Sequence, residues 1–115
     1  MKQGTREWVA YAEHDYEAAL MLAEAPNPPF EIVAYHCQQA AEKYLKAVLI
    51  EHEQPVLFIH DLGKLNQECC KVFPAMAEIQ DACEHLTPFG TITRYPGSGM
   101  IVEVEHMPIV VSLVQ

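Results

Sequence analysis

One segment limits what this chain can fold into. Between Pro29 and Pro55 neither proline nor glycine interrupts the sequence. Within it Phe30, Val33, Ala34, Cys37, Ala41, Tyr44, Leu45, Val48 and Leu49 recur at steps of three and four. That period puts them on one stripe of a helix over residues 30–53. At about 1.5 Å of rise per residue the helix is on the order of 35 Å long, enough to be the spine of a small bundle.

The other elements are marked off by Pro and Gly. Pro26, Pro28 and Pro29 close a first helix that runs to about residue 25, with Thr5 expected as its cap and Glu7 in its dipole-favoured first turn. A third helix is expected over 60–72. A fourth over 75–89 would bury Met76, Ile79, Cys83 and Leu86. The last quarter reads two ways. Residues 100–104 and 109–114 are rich in β-branched side chains, which favours strand. A short closing helix over 106–114, with Pro108 in its first turn, completes a bundle instead and is preferred. With 115 residues and half of them hydrophobic, the chain is expected to be one domain, residues 1–115, with a core that needs no staples. The expected fold is all-α: an up-and-down helical bundle of four long helices plus a short C-terminal helix.

Charge narrows the function. Seven Lys and Arg against sixteen Asp and Glu leave a net charge of −9, which argues against a broad nucleic-acid-binding face, since such faces work by neutralising phosphates. A small local cationic site is still compatible. The four cysteines (Cys37, Cys69, Cys70 and Cys83) form no CxxC pair, and Cys37 and Cys83 fall at apolar helical positions. That usage suits a reduced, cytoplasmic chain. Met1 leads directly into charged residues without a signal-peptide core, and the longest apolar run is far short of the ~20 residues of a membrane helix.

Three sets of residues could carry chemistry. On the side of the second helix away from its apolar stripe, His36, Gln39, Lys43 and Lys46 fall within a sector of about 80°. They form either a solvated face, with Glu42 and Lys46 as a supporting i,i+4 pair, or a stripe facing a ligand or partner. Ala40, Ala47 and Ile50 lie beside this sector and would permit close helix approach. On the first helix Asp15 shares a face with Trp8, Ala12, Ala19 and Leu22. It either reaches water or pairs with Lys43, Lys46, Arg94 or His36, because an unpaired buried carboxylate is expensive. Arg94, beside Tyr95 and a Pro-Gly turn, offers a planar donor fork and an aromatic surface to a ligand, or a structural ion pair to Asp15. His60 and Asp61 read first as a helix start. The six histidines are never at HxxxH or HExxH spacing, and no GxxxxGK[ST], GxGxxG or GxSxG motif occurs.

Three stretches taken together resemble the HEPN domain family (higher eukaryotes and prokaryotes nucleotide-binding). They are His36-Cys37-Gln38-Gln39-Ala40-Ala41-Glu42-Lys43-Tyr44-Leu45-Lys46-Ala47, His60-Asp61-Leu62 and Arg94-Tyr95-Pro96. The spacing of Trp8, Ala12, Asp15 and Ala19 is also similar to that family, so the likeness covers nearly the whole chain in order. The resemblance implies an up-and-down helical bundle, usually dimeric and often partnered with a minimal nucleotidyltransferase, as in toxin–antitoxin pairs. Part of the family are metal-independent RNases with an Arg-x(4–6)-His motif. Here Gly99, Met100 and Ile101 stand where that histidine is required after Arg94, and His14 is too far from Arg6.

The expectation is therefore a HEPN-type homodimeric binding module, non-catalytic alone, working with a nucleotidyltransferase-like partner and needing no metal or cofactor. A nucleotide, ATP or GTP, would be held by Lys43, Lys46, His36, Gln39, His60, Asp61, Arg94 and Tyr95. The alternatives are a divergent metal-independent RNase using Arg94 with His106 or His60, and a purely structural dimerisation or interaction protein.

Overall fold

The computed structural model describes residues 1–90 of the chain. Four α-helices carry the fold: α1 (Gln3–Ala23), α2 (Phe30–Glu51), α3 (Leu62–Val72) and α4 (Gln80–Leu86). Short 3-10 turns, Pro74–Ile79 and Thr87–Gly90, flank α4. No strand occurs among the described residues. The expected helical bundle is thus present, with its fourth element shortened. Pro74 opens this stretch as a 3-10 turn in place of a helix running from residue 75, and Pro88 closes it the same way. The expected C-terminal helix lies outside the described residues.

The core sits on the predicted stripe of α2. Val33, Ala34, Cys37, Ala41, Leu45 and Leu49 are buried and join Ala19, Leu62, Leu65, Cys69, Cys83, Leu86 and Phe89 in one cluster, with Met76 and Ile79 packed at its margin. The opposite side of α2 is not left to solvent, because α1 packs along it. Ala12 and Ala19 of α1 and Ala40 and Ala47 of α2 are all buried, and such small side chains let two backbones approach closely. The closeness anticipated for Ala40 and Ala47 is thus met within the chain.

The ends of α1 and α2 are tied together. Thr5 does not cap α1: the helix starts two residues before it, with Lys2 at the cap position. Thr5 is instead buried and donates its hydroxyl to Glu51 at 2.9 Å. The Lys2 backbone N–H donates to the same carboxylate at 3.0 Å. These two bonds, the backbone one first, hold the Glu51 carboxyl below its ordinary range. Beyond Glu51, Glu53 takes a left-handed φ of 59°, and Gln54 N–H reaches back to Leu49 C=O at 2.8 Å. The helix therefore ends in a Schellman-type turn without the usual glycine.

Gly90 closes the described structure against α2. A Cβ placed there would lie 2.6–2.8 Å from the amide of the fully buried Gln38. Gly90→Ala is expected to destabilise the protein by about 1–3 kcal/mol through overpacking, read by urea denaturation. The thiols supply a second check. Burial pushes Cys37, Cys69 and Cys83 up to about 12 from an ordinary 9.0. A group whose native value is raised stabilises below its unfolded value and loses that contribution as pH climbs. Stability should therefore fall as pH rises from about 9 towards 12. At neutral pH alkylation followed by mass spectrometry should label the partly exposed Cys70 first.

Candidate functional site

The polar residues singled out on α2 form a belt of two hydrogen-bonded clusters, one tied to α1 and the other to the segment before α3. At its α1 end Asp15 is nearly buried and accepts from two groups. The Lys43 ammonium donates to one carboxylate oxygen, and His36 Nδ1 lies 2.9 Å from the other. Of the partners weighed for Asp15, the structure selects Lys43 and His36, while Arg94 lies outside the described residues. The ring of Tyr35 stands edge-on to His36 with centroids 5.5 Å apart.

One turn along, Glu42 is the centre of the belt. Its carboxylate lies within 3.1 Å of Lys46 Nζ and 2.9 Å of His60 Nδ1, and it accepts from Gln38 Nε2 at 3.3 Å. Gln38 also reaches the His60 carbonyl at 3.4 Å and accepts from Gln39 Nε2 at 2.8 Å. Lys46 is enclosed from the other side by Trp8, whose ring centroid is 5.5 Å from Nζ. Trp8, Asp15 and Ala12 share the α1 face predicted from the sequence, and that face is what covers the belt.

The Glu42–Lys46 pair is therefore no part of a solvated face. Both side chains are only 6% exposed, because α1 and the segment before α3 close over them. A buried carboxylate in this position is costly unless its lone pairs are filled, and here donors from three side chains fill them. The carboxylate can only accept, so Nδ1 of His60 donates and Nε2 is left for solvent or a ligand. The His60 side chain is 67% exposed, so the ring stands at the surface with its orientation fixed from beneath. Asp61 has a separate duty as N-cap of α3, its side chain accepting from Lys64 N–H at 3.1 Å.

Lys43, His36, Lys46, Gln39 and His60 are thus gathered in the two clusters of the belt, Asp61 stands apart as the cap of α3, and Arg94 and Tyr95 lie outside the described residues. The sequence reading missed the roles of Glu42 and Gln38. The signal was available: Gln38 and Glu42 share the helical phase of Leu45 and Leu49, a buried position for two polar side chains. Among the described residues no group of three or more His, Cys, Asp or Glu could hold a metal ion, and no helix is long and apolar enough to cross a membrane.

Removing one partner of the enclosed pair strands the other. Glu42→Ala and Lys46→Ala are each expected to cost about 3–5 kcal/mol in urea denaturation. The double change to Leu and Met should cost clearly less than the sum. Breaking the exposed Glu68–Lys71 pair should change nothing measurable.

No curated protein and no solved structure matches the chain. The family model of the HEPN domain matches residues 5–107, which takes in both helices of the belt, the His60-Asp61-Leu62 junction and Arg94-Tyr95-Pro96. The chain belongs to the HEPN domain family.

Proposed function

We propose that this HEPN domain is a nucleotide-binding module, non-catalytic by itself, that self-associates and acts with a nucleotidyltransferase-like protein in a toxin–antitoxin-like pair. The observation that carries the reading is the belt and its two accessible ends. His36 and His60 are partly to largely exposed, and each is aimed by a carboxylate beneath it. Lys43 is partly open beside His36.

Local charge tolerates a small anion here despite the acidic chain. The ammonium groups of Lys43 and Lys46 offset the carboxylates of Asp15 and Glu42. A phosphate at this face therefore meets no uncompensated carboxylate among Asp15 and Glu42, and the partly open Lys43 ammonium can donate to it. Lys46 serves by holding Glu42, since its own ammonium is enclosed. Gln39 adds a carbonyl acceptor, because its amide is already committed to Gln38. Arg94 and Tyr95 are proposed to complete the site as a phosphate fork and an aromatic contact. Exposed apolar side chains at Tyr11, Met21 and Ile32 on α1 and the start of α2 suit contact with a second copy or a partner protein.

Isothermal titration of the full chain with ATP and with GTP tests the ligand. Binding is expected, and Lys43→Ala and Arg94→Ala should each weaken it by about 10-fold, the value of one charge-assisted hydrogen bond. Absence of heat with both nucleotides removes the ligand from this reading. Cleavage of a labelled single-stranded RNA in excess EDTA, lost in His60→Ala, would make the chain an enzyme instead.

A further inference from the structure

The segment joining α2 to α3 presents an aromatic ring for which the fold itself has no use. Its side chains alternate: Leu57 and Ile59 turn in and pack against the core, while Phe58 and His60 turn out. Phe58 is 92% exposed, more than any other large hydrophobic residue described. Burying a phenylalanine usually contributes to stability, and that contribution is forgone here in the middle of a segment that is fixed at both ends. At one end the Gln54 N–H is bonded to Leu49. At the other His60 is held through its carbonyl by Gln38 and through Nδ1 by Glu42, and Leu62 N–H donates to Thr87 Oγ1 at 3.0 Å. The ring is thus offered from an anchored strap rather than from a loose loop.

Its chain neighbours Leu57 and Ile59 turn inward, so Phe58 has no apolar companion beside it along the strap. What accompanies it on the outer side is His60, whose Nε2 has no partner among the described residues. Two residues of extended chain span about 6–7 Å, which is the scale of a base and its attached sugar. A flat ring beside an oriented polar handle suits a ligand with the same two parts.

We propose that Phe58 is the stacking platform for the nucleobase of a bound nucleotide, with His60 Nε2 accepting a hydrogen bond from a hydroxyl of the adjoining ribose. This inference rests on the nucleotide-binding reading and adds to it the residue that recognises the base. Stacking is tolerant of base identity, because every base presents a π-face. Adenine and guanine nucleotides should therefore depend on Phe58 alike.

The test uses the full chain with three probes, ATP, GTP and inorganic tripolyphosphate, on wild type, Phe58→Ala and Phe58→Trp. Phe58 is exposed and outside the core, so neither variant should disturb folding, which a thermal melt verifies. Phe58→Ala is expected to weaken ATP and GTP by about 10-fold or more without changing the response to tripolyphosphate. Phe58→Trp should bind as wild type does, with saturable quenching of the added indole beyond any change at Trp8. If ATP and GTP bind Phe58→Ala as tightly as wild type, the platform is refuted and the nucleotide-binding reading stands. If neither nucleotide binds wild type, both fall together. An equal loss of tripolyphosphate, or a change in oligomeric mass with nucleotide affinity intact, would also overturn base stacking and place Phe58 in a different contact.

Discussion

The structure depends on a carboxylate that has no business in a core unless it is fully partnered. Glu42 is 4% exposed, and the three side chains that satisfy it come from different places. Gln38 and Lys46 lie one turn to either side on α2, and His60 belongs to the strap before α3. Each donor must be in position for the buried charge to be tolerated. The ion pair thereby couples the register of α2, the path of residues 53–61 and the packing of α1, whose Trp8 lies against Lys46. Displacing any one element would leave a charge stranded. Such a centre often adds little net stability compared with an apolar replacement, whereas removal of one partner alone leaves an uncompensated buried charge.

The same dependence explains which features could be read from the amino-acid sequence. The α2 stripe was legible because Val33, Cys37, Leu45 and Leu49 all bury at the expected period. The polar sector was legible as a set of residues but not as an interior. A solvated face and an α1-covered face have the same composition on α2, and only the small residues Ala12, Ala19, Ala40 and Ala47 distinguish them. Asp15 was recognisable as needing a partner, since a carboxylate amid Trp8, Ala12 and Ala19 is out of place. Its choice of Lys43 and His36 depends on the axial register of two helices, which no local pattern fixes. Thr5 misled for a similar reason. Its hydroxyl suits an N-cap, yet the tertiary acceptor Glu51, on a helix end 46 residues away, takes it into the interior. Phe58 and His60 carried no periodic signal, because their meaning lies in what the strap covers.

Cation placement bears on what the domain can hold. Of the basic side chains in residues 1–90, Lys2 pairs with Glu53, Lys43 with Asp15, Lys46 with Glu42 and Lys71 with Glu68. A long polyanion gains affinity by meeting many unpaired cations and releasing many counterions. This domain, at a net charge of −9, has committed most of its described cations to its own carboxylates. A single nucleotide makes a smaller demand: a few oriented donors and a surface on which to stack. The proposed site would draw these from Lys43 and the strap, where Asp15 and Glu42 already hold the rings of His36 and His60 in place. Preorganisation of this kind lowers the ordering cost of binding, so a modest number of contacts can suffice. A net charge of −9 is thus compatible with the proposed site for a single nucleotide.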